Sequence, residues 1–113
     1  MPNSPPTTRM ETGGFRIEIV DDPAKICRLA AGEIQRLAER KASAAKPFAI
    51  ALSGGSTPRG LHALLANDPA VRDRLPWHYM HFFWGDERHV PPDHPQSNYR
   101  MAYDTLLSLA PVT

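Results

Sequence analysis

The chain has 113 residues, 42% of them hydrophobic and 22% charged, and its 13 basic and 12 acidic side chains leave a formal net charge of +1. These values suit one small globular domain, exclude a global basic field for nucleic acid, and leave no stretch near the roughly 20 apolar residues of a membrane span. The single cysteine, Cys27, excludes a disulfide framework and fits a small core residue of a protein in the reducing cytoplasm.

Residues 1–13 begin polar and proline-rich and read as a disordered tail before a domain over 14–113. Residues 15–20 alternate apolar and polar side chains, the pattern of a strand with one wet face near a sheet edge. Asp21-Asp22-Pro23 signals a helix start. Ile26, Leu29, Ala30, Ile34, Leu37 and Ala38 then make an apolar stripe along a helix to about Lys41. Phe48–Leu52 shows no polar alternation and predicts a strand covered on both faces. Ser53, Gly54, Gly55, Ser56 and Thr57 form a loop of small residues. It leads into a helix with Thr57 as N-cap, Pro58 at its first position and Leu61, Leu64 and Leu65 on one face. Residues 71–76 connect to an aromatic-rich strand over 78–84. Gly85 breaks that strand, and residues 86–96 form a polar, proline-containing loop. Ser97 or Asn98 caps a last helix whose stripe is Tyr99, Ala102, Tyr103, Leu106 and Leu109.

The order β-α-β-α-β-α, with crossovers over 21–47 and 53–77, predicts an α/β fold: three layers, α-β-α, around a parallel sheet. Ligands of such sheets sit beyond the carboxyl ends of the strands, so residues 53–57 and 85–89 should share one rim. Glycines in the first loop let backbone N–H groups approach an anion, and the following helix N-terminus adds donors and partial positive charge. A phosphate-bearing small molecule is the natural guest. The loop has neither the Gly-Lys-Ser/Thr ending of a Walker A loop nor the Gly-x-Gly-x-x-Gly pattern, and by itself it also reads as a tight strand-to-helix turn.

The second loop gathers Asp86, Glu87, Arg88 and His89. Arg88 suits bidentate phosphate binding, Asp86 can hold a histidine or a substrate hydroxyl, and His89 adds an imidazole at the rim. Standing alone, the same four residues would read as a solvated loop with weak local ion pairs. Among the other histidines, His62 is expected exposed on a helix. His78 and His81 are expected as structural residues in or beside a strand, and His94 on the rim. No His/Asp/Glu set has metal-ligand spacing, so neither metal nor cofactor is expected.

Three stretches carry a specific likeness: 51–58 (Ala-Leu-Ser-Gly-Gly-Ser-Thr-Pro), 84–91 (Trp-Gly-Asp-Glu-Arg-His-Val-Pro) and 93–99 (Asp-His-Pro-Gln-Ser-Asn-Tyr). In this order and spacing they resemble the N-terminal half of the 6-phosphogluconolactonase family, whose architecture is shared with glucosamine-6-phosphate deaminase/isomerases. The resemblance implies hydrolysis of 6-phospho-D-glucono-1,5-lactone to 6-phospho-D-gluconate in the oxidative pentose phosphate pathway, with a Rossmann-like sheet. It implies that Ser53, Gly54, Gly55, Ser56 and Thr57 form the sugar-phosphate loop, that Arg88 lies on the phosphate side, and that Ser97 and Asn98 close over the sugar. It further implies an orienting catalytic role for Asp86. The Trp-Gly-Asp-Glu-Arg wording favours a lactonase. A deaminase/isomerase of the glucosamine-6-phosphate type and a non-catalytic sugar-phosphate-binding module are the alternatives.

Members of the family run to roughly twice this length, a usual size for a complete α/β sheet domain. Their second half carries a Gly-x-Gly-x-Asp-Gly-His segment whose histidine activates water, and no such segment occurs here. The expectation is therefore a truncated chain that anchors the phosphate and has little activity alone. An uncovered sheet edge would favour self-association.

Overall fold

The computed structural model describes residues 8–111. Strands β1 (Thr8–Thr12) and β2 (Phe15–Ile19) form an antiparallel hairpin, with Arg9 opposite Glu18 and Met10 opposite Ile17. The turn is Gly13-Gly14, with φ of +56° and +82°. A tight hairpin turn needs positive φ at both central positions, and glycine adopts it without a Cβ clash. The expected tail is thus corrected over 8–13: the glycine pair lets this segment fold back and pair with β2. Residues 1–7 lie outside the described residues. Nor does β2 join the parallel sheet; it pairs with β1 in a separate two-stranded sheet. Phe15, Ile17 and Ile19 stay exposed on one face, while Arg9 and Arg16 approach Glu18 at 3.5 and 3.6 Å on the other.

Helix α1 (Pro23–Ser43) begins as the sequence predicts. Asp22 accepts the Lys25 N–H at 2.8 Å, and Pro23 sits where its missing N–H costs nothing. Its buried residues are the small ones, Cys27, Ala31 and Ala38, whereas Ile26, Leu29 and Leu37 are more than a third exposed. Small side chains let α1 pack closely on its neighbour. A Cβ at Gly60 of α2 (Ser56–Asn67) would lie only 3.2 Å from Cys27 Sγ.

Strands β3 (Phe48–Leu52) and β4 (Met80–Trp84) pair in parallel, from Phe48 opposite Met80 to Leu52 opposite Trp84. The apolar run of β3 hides an alternation of size. Phe48, Ile50 and Leu52, with Met80, Phe82 and Trp84, face the core; Ala49, Ala51, His81 and Phe83 face outward and are exposed. Helices therefore cover one face of this sheet among the described residues, where the sequence led us to expect cover on both. Burial on the inner face is what makes a two-stranded sheet tenable.

The remaining elements are α3 (Pro69–Arg72), capped by Asp68, a 3₁₀ turn over Trp77–Tyr79, and α4 (Asn98–Ala102), which runs on into a π turn over Tyr103–Leu107. The core joins Ala31, Ala38, Leu52, Leu65, Ala66, Leu75, Trp77, Met80, Ala102 and Leu106. Leu65 and Leu106 are fully enclosed, each contributing about 1.5–3 kcal/mol. The last helix departs from its expected stripe: Ala102 and Leu106 are buried with Met101, while Tyr99, Tyr103 and Leu109 are exposed. A π turn changes the register only from Tyr103 onward. Ser108 N–H reaches back five residues to Tyr103 O at 2.9 Å, which breaks the helical spacing.

Candidate functional site

Because β3 and β4 are parallel and in step, their carboxyl ends coincide. Gly85 N–H donates to Leu52 O at 2.9 Å and carries the ladder one step past both strands. Residues 53–57 and 85–89 therefore leave the same end of the sheet, where open α/β sheets bind ligands. Gly55, Ser56 and Arg59 from the start of α2, Arg88 from the second loop, and Ser97 and Asn98 from the start of α4 line one cavity of about 430 Å³. The common rim expected from sequence exists.

Gly55, not Thr57, is the N-cap of α2. Its φ of +107° favours glycine, and no side chain caps the helix. Helix α2 thus opens at Ser56, and Pro58 falls within its first turn. This earlier start turns Thr57 the other way: it lines the groove against α1, where Cys27 Sγ donates to Thr57 O at 3.7 Å. Ser53 is exposed and stands outside the cavity wall. Gly54 is tight against Asn98; a Cβ on Gly54 would collide with Asn98 Oδ1 and lie 2.7 Å from its Cγ.

Neither Asp86 nor Glu87 pairs with the Arg88 guanidinium within 4.0 Å among the described residues. Asp86 Oδ1 accepts from Asn98 Nδ2 at 3.3 Å, and the Asp86 carbonyl accepts from the same nitrogen at 3.2 Å. Asp86 is exposed and does not line the cavity. Glu87 Oε1 accepts the N–H of Arg88 at 2.8 Å and of Asn98 at 2.6 Å. Glu87 Oε2 accepts the Tyr99 N–H at 3.0 Å and the Ser97 hydroxyl at 2.9 Å. The Tyr99 N–H first, then those of Arg88 and Asn98 and the Ser97 hydroxyl, hold the Glu87 carboxyl down to about 2. Ser97 is the N-cap of α4: besides its bond to Glu87, it accepts the Arg100 N–H at 3.2 Å. Its buried hydroxyl is thus occupied within the fold, though the residue borders the cavity.

Arg59 and Arg88 have no carboxylate within 4.0 Å among the described residues, so two uncompensated guanidinium groups flank the α2 N-terminus. Sequence reading missed Arg59. Its signal was spacing, since a residue four past Gly55 returns to the same face of the helix, one turn on. A second cleft, of about 480 Å³, lies beside Tyr99, Tyr103 and Arg100. Its cation is already engaged, Arg100 lying 3.5 Å from Asp104 and donating to Asp93 O at 2.7 Å.

Among the described residues no histidine lines the 430 Å³ cavity. His62, expected exposed, is 2% exposed, and burial lowers its pKa. It faces the π turn, with Nδ1 3.4 Å from Thr105 Oγ1, which itself donates to Met101 O at 2.7 Å. His78, His81 and His89 are exposed, and His94 Nδ1 accepts the Gln96 N–H at 3.0 Å.

Fold and site together define an α/β protein that opens two donor-rich loops at the carboxyl end of a parallel sheet. A family model described as glucosamine-6-phosphate isomerases/6-phosphogluconolactonase matches residues 21–113, and the chain belongs to that family. Among curated proteins it is similar to 6-phosphogluconolactonase of Nostoc sp., 56% identical over 55 residues, or 49% of this chain and 21% of the relative. It is also similar to a chloroplastic 6-phosphogluconolactonase of Arabidopsis thaliana, 46% identical over 65 residues, or 58% of this chain and 19% of the relative. The solved 6-phosphogluconolactonase from Trypanosoma cruzi superposes with a TM-score of 0.69 at 36% identity, covering 82% of this chain and 35% of that one. The Thermotoga maritima structure of the same name gives 0.69 at 30% identity, covering 83% and 40%. The chain thus spans well under half the length of these relatives. No helix among the described residues is long and apolar enough to cross a membrane.

Proposed function

We propose that this chain grips the phosphate and sugar of 6-phospho-D-glucono-1,5-lactone for a cytoplasmic 6-phosphogluconolactonase. The observation that carries the reading is the meeting of Gly55 and Arg88 at one cavity. The relatives' names supply the substrate class. In the reaction, water adds to the lactone carbonyl, the ring ester bond breaks, and the ring oxygen leaves as a hydroxyl, giving 6-phosphogluconate. Such hydrolysis needs a base for the water, donors for the developing oxyanion and a fixed substrate. The residues of this cavity serve the third need. The opening N–H groups of α2, with Arg88 and Arg59, hold the phosphate dianion. Asn98 borders the sugar, and Asp86, outside the cavity wall, is left for an orienting role. With no histidine at the cavity, the chain by itself is expected to bind but to turn over little.

Calorimetric titration with 6-phosphogluconate tests the binding. Saturable binding that weakens about tenfold in Arg88→Ala is expected, the loss of one charge-assisted contact. Equal affinity in that variant would remove Arg88 from the site. The family description also covers glucosamine-6-phosphate isomerases, so ammonia released from glucosamine 6-phosphate in place of lactone hydrolysis would favour that activity. Tight binding with no turnover of either substrate, even beside a longer homologous chain, would favour a binding module.

A further inference from the structure

We infer that Glu87 is the positioning residue of this site: its carboxylate ties the second loop to the start of α4, fixes Arg88 and Asn98 at the cavity rim, and is itself kept off the Arg88 guanidinium. The inference deepens the sugar-phosphate reading and rests on it. Four donors converge on one side chain, from Arg88 beside it in the chain and from Ser97, Asn98 and Tyr99 ten to twelve residues on. The segment between is thereby closed into a ring. All four donors are neutral, and no cation lies within 4.0 Å of Glu87 among the described residues, so the negative charge is met by N–H and O–H dipoles at a helix start. A free carboxylate next to Arg88 in sequence would otherwise compete with an incoming phosphate for that guanidinium. The ring removes the competitor and spends its charge on α4.

The same ring reaches the first loop. Asn98, held by its N–H to Glu87, spans from Asp86 to the bare Cα of Gly54. One acidic side chain thus sets the spacing of both loops around the cavity, although it never faces the ligand. Nothing in the spacing of Glu87 and Ser97 announces this, because the partners meet only once the loop is closed.

The test compares Glu87→Gln and Glu87→Asp with the parent chain, using amide hydrogen exchange and 6-phosphogluconate affinity. In Glu87→Gln an amide NH₂ replaces one acceptor and confronts N–H donors. The Asn98 and Tyr99 amides should then exchange about tenfold faster or more, and affinity should fall about tenfold, while amides in the middle of α1 keep their protection. Glu87→Asp keeps the charge on a shorter arm and should recover part of both losses. Affinity within twofold of the parent in Glu87→Gln would overturn the inference, as would a loss shared evenly by α1. A parent whose Asn98 and Tyr99 amides are unprotected refutes the ring itself. A parent protected there that does not bind 6-phosphogluconate refutes the sugar-phosphate reading, and the positioning role falls with it.

Discussion

Replacing Gly54 by alanine is the sharpest local perturbation of the site. Gly54 is not among the positive-φ residues, so alanine suffers no backbone penalty there and the effect is purely steric. The new methyl would sit 2.7 Å from Asn98 Cγ, and nearer still to Oδ1. Asn98 cannot yield freely, since its amide donates to Asp86 and its N–H to Glu87. Swinging the side chain away gives up the two long bonds to Asp86, and overpacking adds strain, for a loss of about 2–3 kcal/mol. In a domain of this size that corresponds to a fall in Tm of roughly 10 °C or more. Asn98→Ala removes the three atoms nearest the new methyl. The double variant should therefore recover most of the steric part, a coupling of about 1–2 kcal/mol in a thermal or urea denaturation cycle. Additive losses would show that the two loops do not meet as described.

Ala45 has φ +56° just after α1, so Ala45→Gly should stabilise the fold by about 0.5–1 kcal/mol, measured by urea denaturation. Burial holds His62 below its ordinary value of 6.5, so the unfolded chain takes up a proton first as pH falls. Stability should be full above about pH 6.5 and decline below it until the depressed folded value is passed; His62→Leu should flatten that slope. Trp77 Nε1 donates to Arg72 O at 2.9 Å, whereas the enclosed Trp84 Nε1 has no partner among the described residues. Trp77→Phe should thus cost about 1 kcal/mol more than Trp84→Phe, read from Tm or urea midpoints.

The parts of this molecule that sequence makes legible are those governed by short-range rules. Asp22-Pro23 announces α1, Leu52 followed by small residues marks the end of a strand, and the three motifs identify the family. What escaped depended on context. Gly13-Gly14 is a hairpin signal, but the exposed Phe15, Ile17 and Ile19 suggested a parallel edge strand. In Phe48–Leu52 the alternation is of size, not polarity, so the outward Ala49 and Ala51 were read as buried. The Thr57 cap was displaced because Gly55 adopts a backbone that begins the helix earlier. His62 lies on the same face of α2 as the buried Leu65 and Ala66, and its contact with Thr105 is a tertiary one that no local pattern announces. Arg59 carried its signal in its spacing from Gly55, whereas the partners of Glu87 meet only on closure of the loop.

The sugar-phosphate function requires a single cavity that receives a phosphate between the two loops. A crystal structure of the chain with saturating 6-phosphogluconate measures this directly. Phosphate oxygens should lie about 3 Å from the N–H groups opening α2 and from the Arg88 guanidinium. A phosphate seated elsewhere, or a cavity left without one, would contradict it.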